Sequence, residues 1–401
     1  MTLNAGLYIH IPFCIRKCPY CDFFSISDFT MIQPFVGALT AEMRMKTDGG
    51  DFDGVLFDSV YIGGGTPTVM DARTIGRIMD AAVKAFSIDP AAEITIETNP
   101  CAINRAQLAD LCRIGINRIN IGIQSFDDAN LAFLGRRHSA ADGLRAVGMA
   151  EKSGFENIGI DLMYALPGQQ PENWQKDLKK AVSRAPAHIS AYMLTLEPGT
   201  PMDSARIAGT FTPPSNDTQG AFFMMTGDML AESGYDHYEI SNFASAAPDA
   251  SSGAQSGDRS DTRTARSRHN AKYWNNHPYL GLGPAAHSYH PHPACRSANV
   301  PSVQRYIGRI NAGRSPVETT ETLDSTQQMI EALYLGLRQA DGIAFDAFNR
   351  RFQTDFMAVF SDLVKRFEGD GLMVADGGAC RPTLTGMRMQ ESIAAAFIDR
   401  I

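Results

Sequence analysis

GLYIHIPFCIRKCPYCDFFS, residues 6–25, decides how the rest of this chain is read. Its opening, GLYIHI, reads as a β-strand, and a loop interrupted by Arg16, Lys17 and Pro19 follows. That loop places Cys14, Cys18 and Cys21 in the spacing C-x-x-x-C-x-x-C. Three thiols cannot pair off as disulfides, and a closed zinc site takes four ligands, usually as two separated pairs. Three thiolates can instead hold three irons of a four-iron, four-sulfur cluster and leave the fourth iron open to a small ligand. On the residues alone two other readings stay open: three buried cysteines beside a strand, or three zinc ligands with a distant fourth. Cys101 and Cys112, far from the triplet, read as ordinary buried cysteines.

Outward from this stretch, short β-rich runs alternate with longer helical patterns. The candidate strands are GLYIHI from Gly6, VLFDSVYI from Val55, EITIE from Glu93, RINIGI from Arg118, NIGIDL from Asn157 and HISAYML from His188. Between them lie amphipathic patterns such as TIGRIMDAAVKAF from Thr74 and AADGLRAVGMAEKSG from Ala140, the latter stopping at Gly154 as a helix C-cap does. Strands alternating with helices predict an α/β fold with a parallel sheet and right-handed crossovers, either open or closed into a barrel. Such folds assemble their sites at the C-terminal ends of the strands. Those ends carry GGGTPT after Ile62, then Glu97, Gln124 and Asp161.

The pattern breaks after residue 243. From Ala244 to Arg268 no aliphatic or aromatic residue larger than alanine occurs, so residues 244–268 are expected to be a disordered insertion. HNAKYWNNHPYLGLGPAAHSYHPH follows and opens a connecting region, 269–315. Residues 316–401 then read as a small domain with helices at TQQMIEALYLGLR and FMAVFSDLVKRFEGDG and a hairpin at LMVADGGACRPTLTG.

Bulk composition narrows the function class. The 401 residues are 44% hydrophobic and 20% charged, an ordinary globular balance for two or three domains. A formal charge of −8 argues against a nucleic-acid partner held through phosphates and against an RNA-modifying enzyme. No apolar run reaches the ~18 residues of a transmembrane helix, and the N-terminus does not read as a secretory signal. Seven cysteines, an odd count with three clustered, fit a reducing cytoplasm.

The cysteine triplet resembles that of the radical S-adenosylmethionine (SAM) superfamily. YIHIPFC, GGGTPT, the glutamate of TIETNP, IGIQSF and GIDLMYALPGQ fall in the order found in the oxygen-independent coproporphyrinogen III oxidase family. This resemblance covers most of the first 240 residues and, more loosely, the C-terminal region. It implies a partial (β/α)6 barrel on residues 1–243 followed by a small winged-helix-like α+β domain. It also implies a 4Fe-4S cluster on Cys14, Cys18 and Cys21, with SAM chelating the open iron and yielding a 5′-deoxyadenosyl radical on reduction. An electron donor such as a flavodoxin or ferredoxin goes with that chemistry. By the same resemblance Tyr8, Tyr20, Gly64, Gly65, Thr66 and Glu97 contact SAM, while Gln124, Arg136 and Asp161 line a second cofactor position. The chemistry of these residue types agrees. Gly64 and Gly65 would expose backbone amides to a carboxylate or ribose, Tyr20 would lay a ring near the adenine, and Glu97 would accept from an ammonium or ribose.

One departure separates two functions. The oxidase has a further cysteine two residues after the triplet, where this chain has Phe23. That loss, together with His269-Asn270-Ala271-Lys272-Tyr273-Trp274, resembles the HemW branch, whose members are haem chaperones. The resemblance implies haem as a ligand and haem-accepting proteins as partners, with true oxidase activity as the rival. An imidazole at His269 beside Tyr273 and Trp274 could ligate haem iron between flat walls, or the three could simply be packing anchors. His287, His290, His292 and Cys295 offer a further set of metal-ligating side chains, which prolines and a surface loop make incidental.

Overall fold

In the first strand Leu7, Ile9 and Ile11 are fully buried, while Gly6, Tyr8 and His10 alternate with them on the opposite face. The computed structural model describes residues 4–50, 52–245 and 265–401. Strands β1 (Asn4–Ile11), β2 (Leu56–Gly64), β3 (Ser87–Thr98), β4 (Arg118–Gln124), β5 (Asn157–Tyr164) and β6 (His188–Met193) alternate with helices, as the sequence pattern predicts. The chain continues through β7 (Tyr235–Glu239), β8 (Asn242–Ser245), β9 (Tyr279–Leu282), β10 (His287–Pro291), β11 (Ala294–Asn299) and β12 (Val317–Thr322). Three short strands follow, β13 (Ile343–Ala344), β14 (Met373–Ala375) and β15 (Ala379–Pro382). No helix among the described residues is long and apolar enough to cross a membrane.

Two compact units result, and neither is one continuous stretch of chain. The first contains residues 1–161, 195–212 and 268–323. Its strands lie in the order β12-β11-β10-β9-β1-β2-β3-β4-β5. β1, β2, β3 and β4 pair in parallel, and β9 joins the other side of β1, also in parallel. Tyr8 stands opposite Tyr61, Tyr61 opposite Thr95, and Thr95 opposite Arg118. This register gathers polar side chains onto one face, called the inner face below. Helix caps agree with the local sequence: Asp71 caps Ala72–Ala85, Ser139 and Asp142 form a capping box on Ala140–Lys152, and Gly154 takes φ 99° just beyond it.

Of the described residues, the second unit contains 162–194, 213–245, 265–267 and 324–401. β6, β8 and β7 pair antiparallel there. Trp174 is fully buried and donates its indole N–H to Thr226 at 2.8 Å. The C-terminal helices Ser325–Gly336 and Phe356–Gly369 form where helical spacing predicts them, and β14 and β15 make the expected hairpin. Phe345, Phe348, Phe356, Phe360 and Phe397 pack into their common core. Of the stretch read as an insertion, 246–264 lies outside the described residues. At its ends Ala244 and Ser245 belong to β8, and Arg268 opens a helix.

Candidate functional site

Three hydrogen bonds fasten the cysteine loop to the end of β1. Cys14 donates its amide to Ile26 at 2.9 Å, and Ile26 donates to Pro12 at 2.8 Å, closing the base of the loop. Inside it, His10 reaches the Phe24 carbonyl through Nε2 at 2.8 Å. A carbonyl only accepts, so Nε2 carries the proton and Nδ1 accepts from the Tyr8 hydroxyl at 3.1 Å. Burial keeps His10 neutral, with its pKa lowered to about 4.

The GGGT turn after β2 locks against this loop. Gly65 donates its amide to Ile11 at 2.8 Å, Thr66 donates to Phe13 at 2.7 Å, and Gly64 donates to Glu97 Oε2 at 3.2 Å. The expectation that Gly64 and Gly65 expose free amides is therefore corrected: protein acceptors already hold them. Gly64 is a glycine for a different reason. Its φ is 103°, and a Cβ there would meet the His10 ring at 2.5 Å.

All three site cysteines are free and half-buried. Thr66 accepts from Asn99 Nδ2 at 2.7 Å, which leaves its own hydroxyl proton for Cys14 Sγ at 3.7 Å. Asn99 in turn accepts from Arg136, whose other nitrogen donates to Cys18 Sγ and to the Tyr20 hydroxyl, each at 3.5 Å. Arg136 also donates to the Gly122 carbonyl at 2.5 Å. One polar chain, Thr66–Asn99–Arg136, thus links two thiols. Gln124, in the left-handed region at φ 71°, turns its side chain toward the same spot above Gly122. Burial raises the Cys21 thiol to about 11, and the nearby Cys18 and Cys14 add to the rise. Three thiols crowded on one loop suit a bound group rich in positive charge. Among the described residues no three His, Cys, Asp or Glu side chains are gathered closely enough for a single ion. Thiolates that each bind a different iron of one cluster need not be. The donor set fits the cluster.

Below the loop, the inner face carries two facing carboxylates. Glu97 accepts from the Tyr61 hydroxyl at 2.7 Å, and Asp161 accepts from Asn120 Nδ2 at 2.9 Å. Burial, followed by the Asp161 charge, raises Glu97 to about 7, against the lowering pull of Tyr61 and Gly64. Tyr8 lies above Tyr61 with ring centroids 6.2 Å apart. Phe23 is elsewhere, 66% exposed on the loop surface.

The helix Arg268–Trp274 closes the opposite end of the inner face. His269 is only 1% exposed. Its Nδ1 lies 3.2 Å from the Ser59 hydroxyl and its Nε2 lies 2.9 Å from the Tyr273 hydroxyl. The haem-ligand expectation for His269 is corrected by this placement, because an iron ligand needs a free ring nitrogen on an open face. Tyr273 is half-buried, with its hydroxyl against the His269 ring. Lys272 pairs with Asp58 at 2.7 Å. His290 stands opposite Cys295 in the β10–β11 hairpin, and among the described residues no third side chain completes a metal site there.

His10, Tyr61 and Asn99 are site residues that the sequence reading misses. Each had a signal: His10 and Tyr61 occupy the inward phase of strand alternation, and Asn99 lies two residues beyond Glu97.

Residues 8–181 match the radical SAM superfamily model, and residues 323–389 match the HemN C-terminal domain model. The haem chaperone HemW of Lactococcus lactis is 30% identical over 98% of this chain and 96% of its own length. The haem chaperone HemW of Bacillus subtilis is also 30% identical, over 98% of this chain and 99% of its own length. The solved structure of coproporphyrinogen III oxidase (HemN) from Escherichia coli has a TM-score of 0.81 at 21% identity, covering 100% of this chain and 91% of that one, and so shares the fold. A thiol triplet at the end of β1, a parallel α/β core and full-length likeness at this level place the chain in the HemW family of the radical SAM superfamily.

Proposed function

We propose that this chain is a haem chaperone of the radical SAM type, which binds haem and passes it to haem-accepting proteins. Cys14, Cys18 and Cys21 would hold a 4Fe-4S cluster, Tyr8, Tyr20, Thr66 and Glu97 would face SAM, and Gln124, Arg136 and Asp161 would line a second cofactor position. When bound, the cluster and SAM supply one-electron chemistry. The chain's own part is to hold the thiols in place through Thr66 and Arg136 and to keep a carboxyl of tunable charge at Glu97. A flavodoxin- or ferredoxin-type electron donor fits this reading, as does the cytoplasm, where thiols stay reduced. The observation that carries the proposal is the convergence of three free thiols in a chain that matches haem chaperones over nearly its full length.

Phe23 favours the chaperone over the oxidase. An exposed phenyl ring stands where the oxidase family has a cysteine. The test is one anaerobically reconstituted preparation, assayed for haem binding and for conversion of coproporphyrinogen III. Haem uptake without protoporphyrinogen formation is the expected result. Multiple turnovers to protoporphyrinogen without haem uptake would reject the chaperone and promote the oxidase.

A further inference from the structure

The H-N-x-x-Y-W helix reaches the inner face at its floor, yet its contacts lead toward the carboxylate near the top. His269 is wedged against Gly6, where a Cβ would meet its Cε1 at 2.9 Å, so only glycine leaves room for the ring. Ser59 and Tyr273 hold its two nitrogens, which fixes the plane of the imidazole. Against that plane lies the Tyr61 ring, with centroids 5.2 Å apart and the planes inclined by 30°. The far end of Tyr61 donates to Glu97 at 2.7 Å. Removing the imidazole would open a void beneath Tyr61 and release the torsions that aim its hydroxyl.

We propose that His269 is a positioning residue for the Glu97 carboxylate, acting through Tyr61, and that the H-N-x-x-Y-W helix thereby sets how the inner face receives SAM. The inference rests on the reading of Glu97 as a SAM contact for its purpose, though not for its geometry. The groups that face Glu97 are Tyr61 and the Gly64 amide from β2, Tyr8 from β1, Asp161 from β5 and Tyr273 from the helix. Tyr61 and the Gly64 amide donate to Glu97, and of these two Tyr61 is the one whose ring lies against His269.

The test begins on protein without cluster or cofactor. The ionisation of Glu97 is followed by carboxyl infrared difference spectra against pH, with Glu97→Gln identifying its band. Loss of a donor that favours the charged form raises the pH of ionisation. Tyr61→Phe and His269→Ala should both raise it, and the double variant should raise it no further than Tyr61→Phe. His269→Gln, which fills the space without an aromatic plane, replaces His269→Ala if that chain does not fold. An unchanged titration in the His269 variants, beside a shifted one in Tyr61→Phe, overturns the proposal. In reconstituted protein the SAM dissociation constant should rise about tenfold in either single variant and no more in the double, with hemin affinity unchanged. Lost hemin binding with an unmoved Glu97 titration would make His269 a haem ligand after all. Shifted titrations in both variants, beside a wild type that binds no SAM, would keep the positioning role and reject the cofactor reading of Glu97.

Discussion

Each thiol of the triplet meets a different neighbour: the Thr66 hydroxyl at Cys14, the Arg136 guanidinium at Cys18, and the Phe23 backbone at Cys21. These contacts orient the sulfurs but cannot replace one. Changing Cys14, Cys18 or Cys21 to alanine should therefore abolish the broad visible absorption of the reconstituted protein and its iron content of about four per chain. Unchanged iron stoichiometry in the triple variant would exclude the cluster assignment. Gly64→Ala tests the other side of the loop. The new methyl group meets both a left-handed backbone and the His10 ring, so thermal unfolding should show a loss of about 3 kcal/mol. The special status of Gly64 was legible in the sequence, but its cause was not, because the His10 ring that forbids a side chain arrives from another strand.

At the scale of elements, helix Ile32–Gly49 is tied down by one carboxyl. Glu42 is fully buried and accepts from the Tyr306 hydroxyl at 2.5 Å, Asn299 Nδ2 at 2.7 Å and the Gly283 amide at 2.8 Å. Three donors from a helix, a strand and a loop thus converge on it. Burial nevertheless outweighs them and raises Glu42 from 4.5 to about 7. A carboxyl with a raised folded pKa favours the neutral form, so its contribution is full below pH 4.5 and is lost as pH climbs to about 7. The loss across that window amounts to about 3 kcal/mol. Glu42→Gln should flatten the fall in melting temperature between these pH values, and a slope unchanged from wild type would refute the assignment. Helices Ala72–Ala85 and Ala140–Lys152 were legible at this scale, since Asp71, Ser139 and Asp142 cap them from adjacent sequence. Glu42 was not, because all three of its donors lie more than 200 residues away.

For the whole molecule, the second unit depends on a phenylalanine cluster. Phe356 is fully buried against Phe345, Phe348, Phe360 and Phe397. Phe356→Ala should cost about 4 kcal/mol in the full-length chain, read from denaturant unfolding. A loss below about 1 kcal/mol would show that the cluster repacks. The sequence by itself determined the alternation of strands and helices, the C-terminal hairpin and the cysteine triplet, because periodicity, capping and ligand spacing are local properties of the chain. Tertiary structure alone decided which segments share a compact unit, since residues 195–212 and 268–323 join the first unit through contacts distant in sequence. It also decided where the H-N-x-x-Y-W imidazole sits, buried between two hydroxyls. An imidazole can ligate iron, cap a donor or support a ring with equal chemical right, and the Ser59 and Tyr273 hydroxyls that meet its two nitrogens come from distant sequence or depend on the helix register, so the chain alone does not show them.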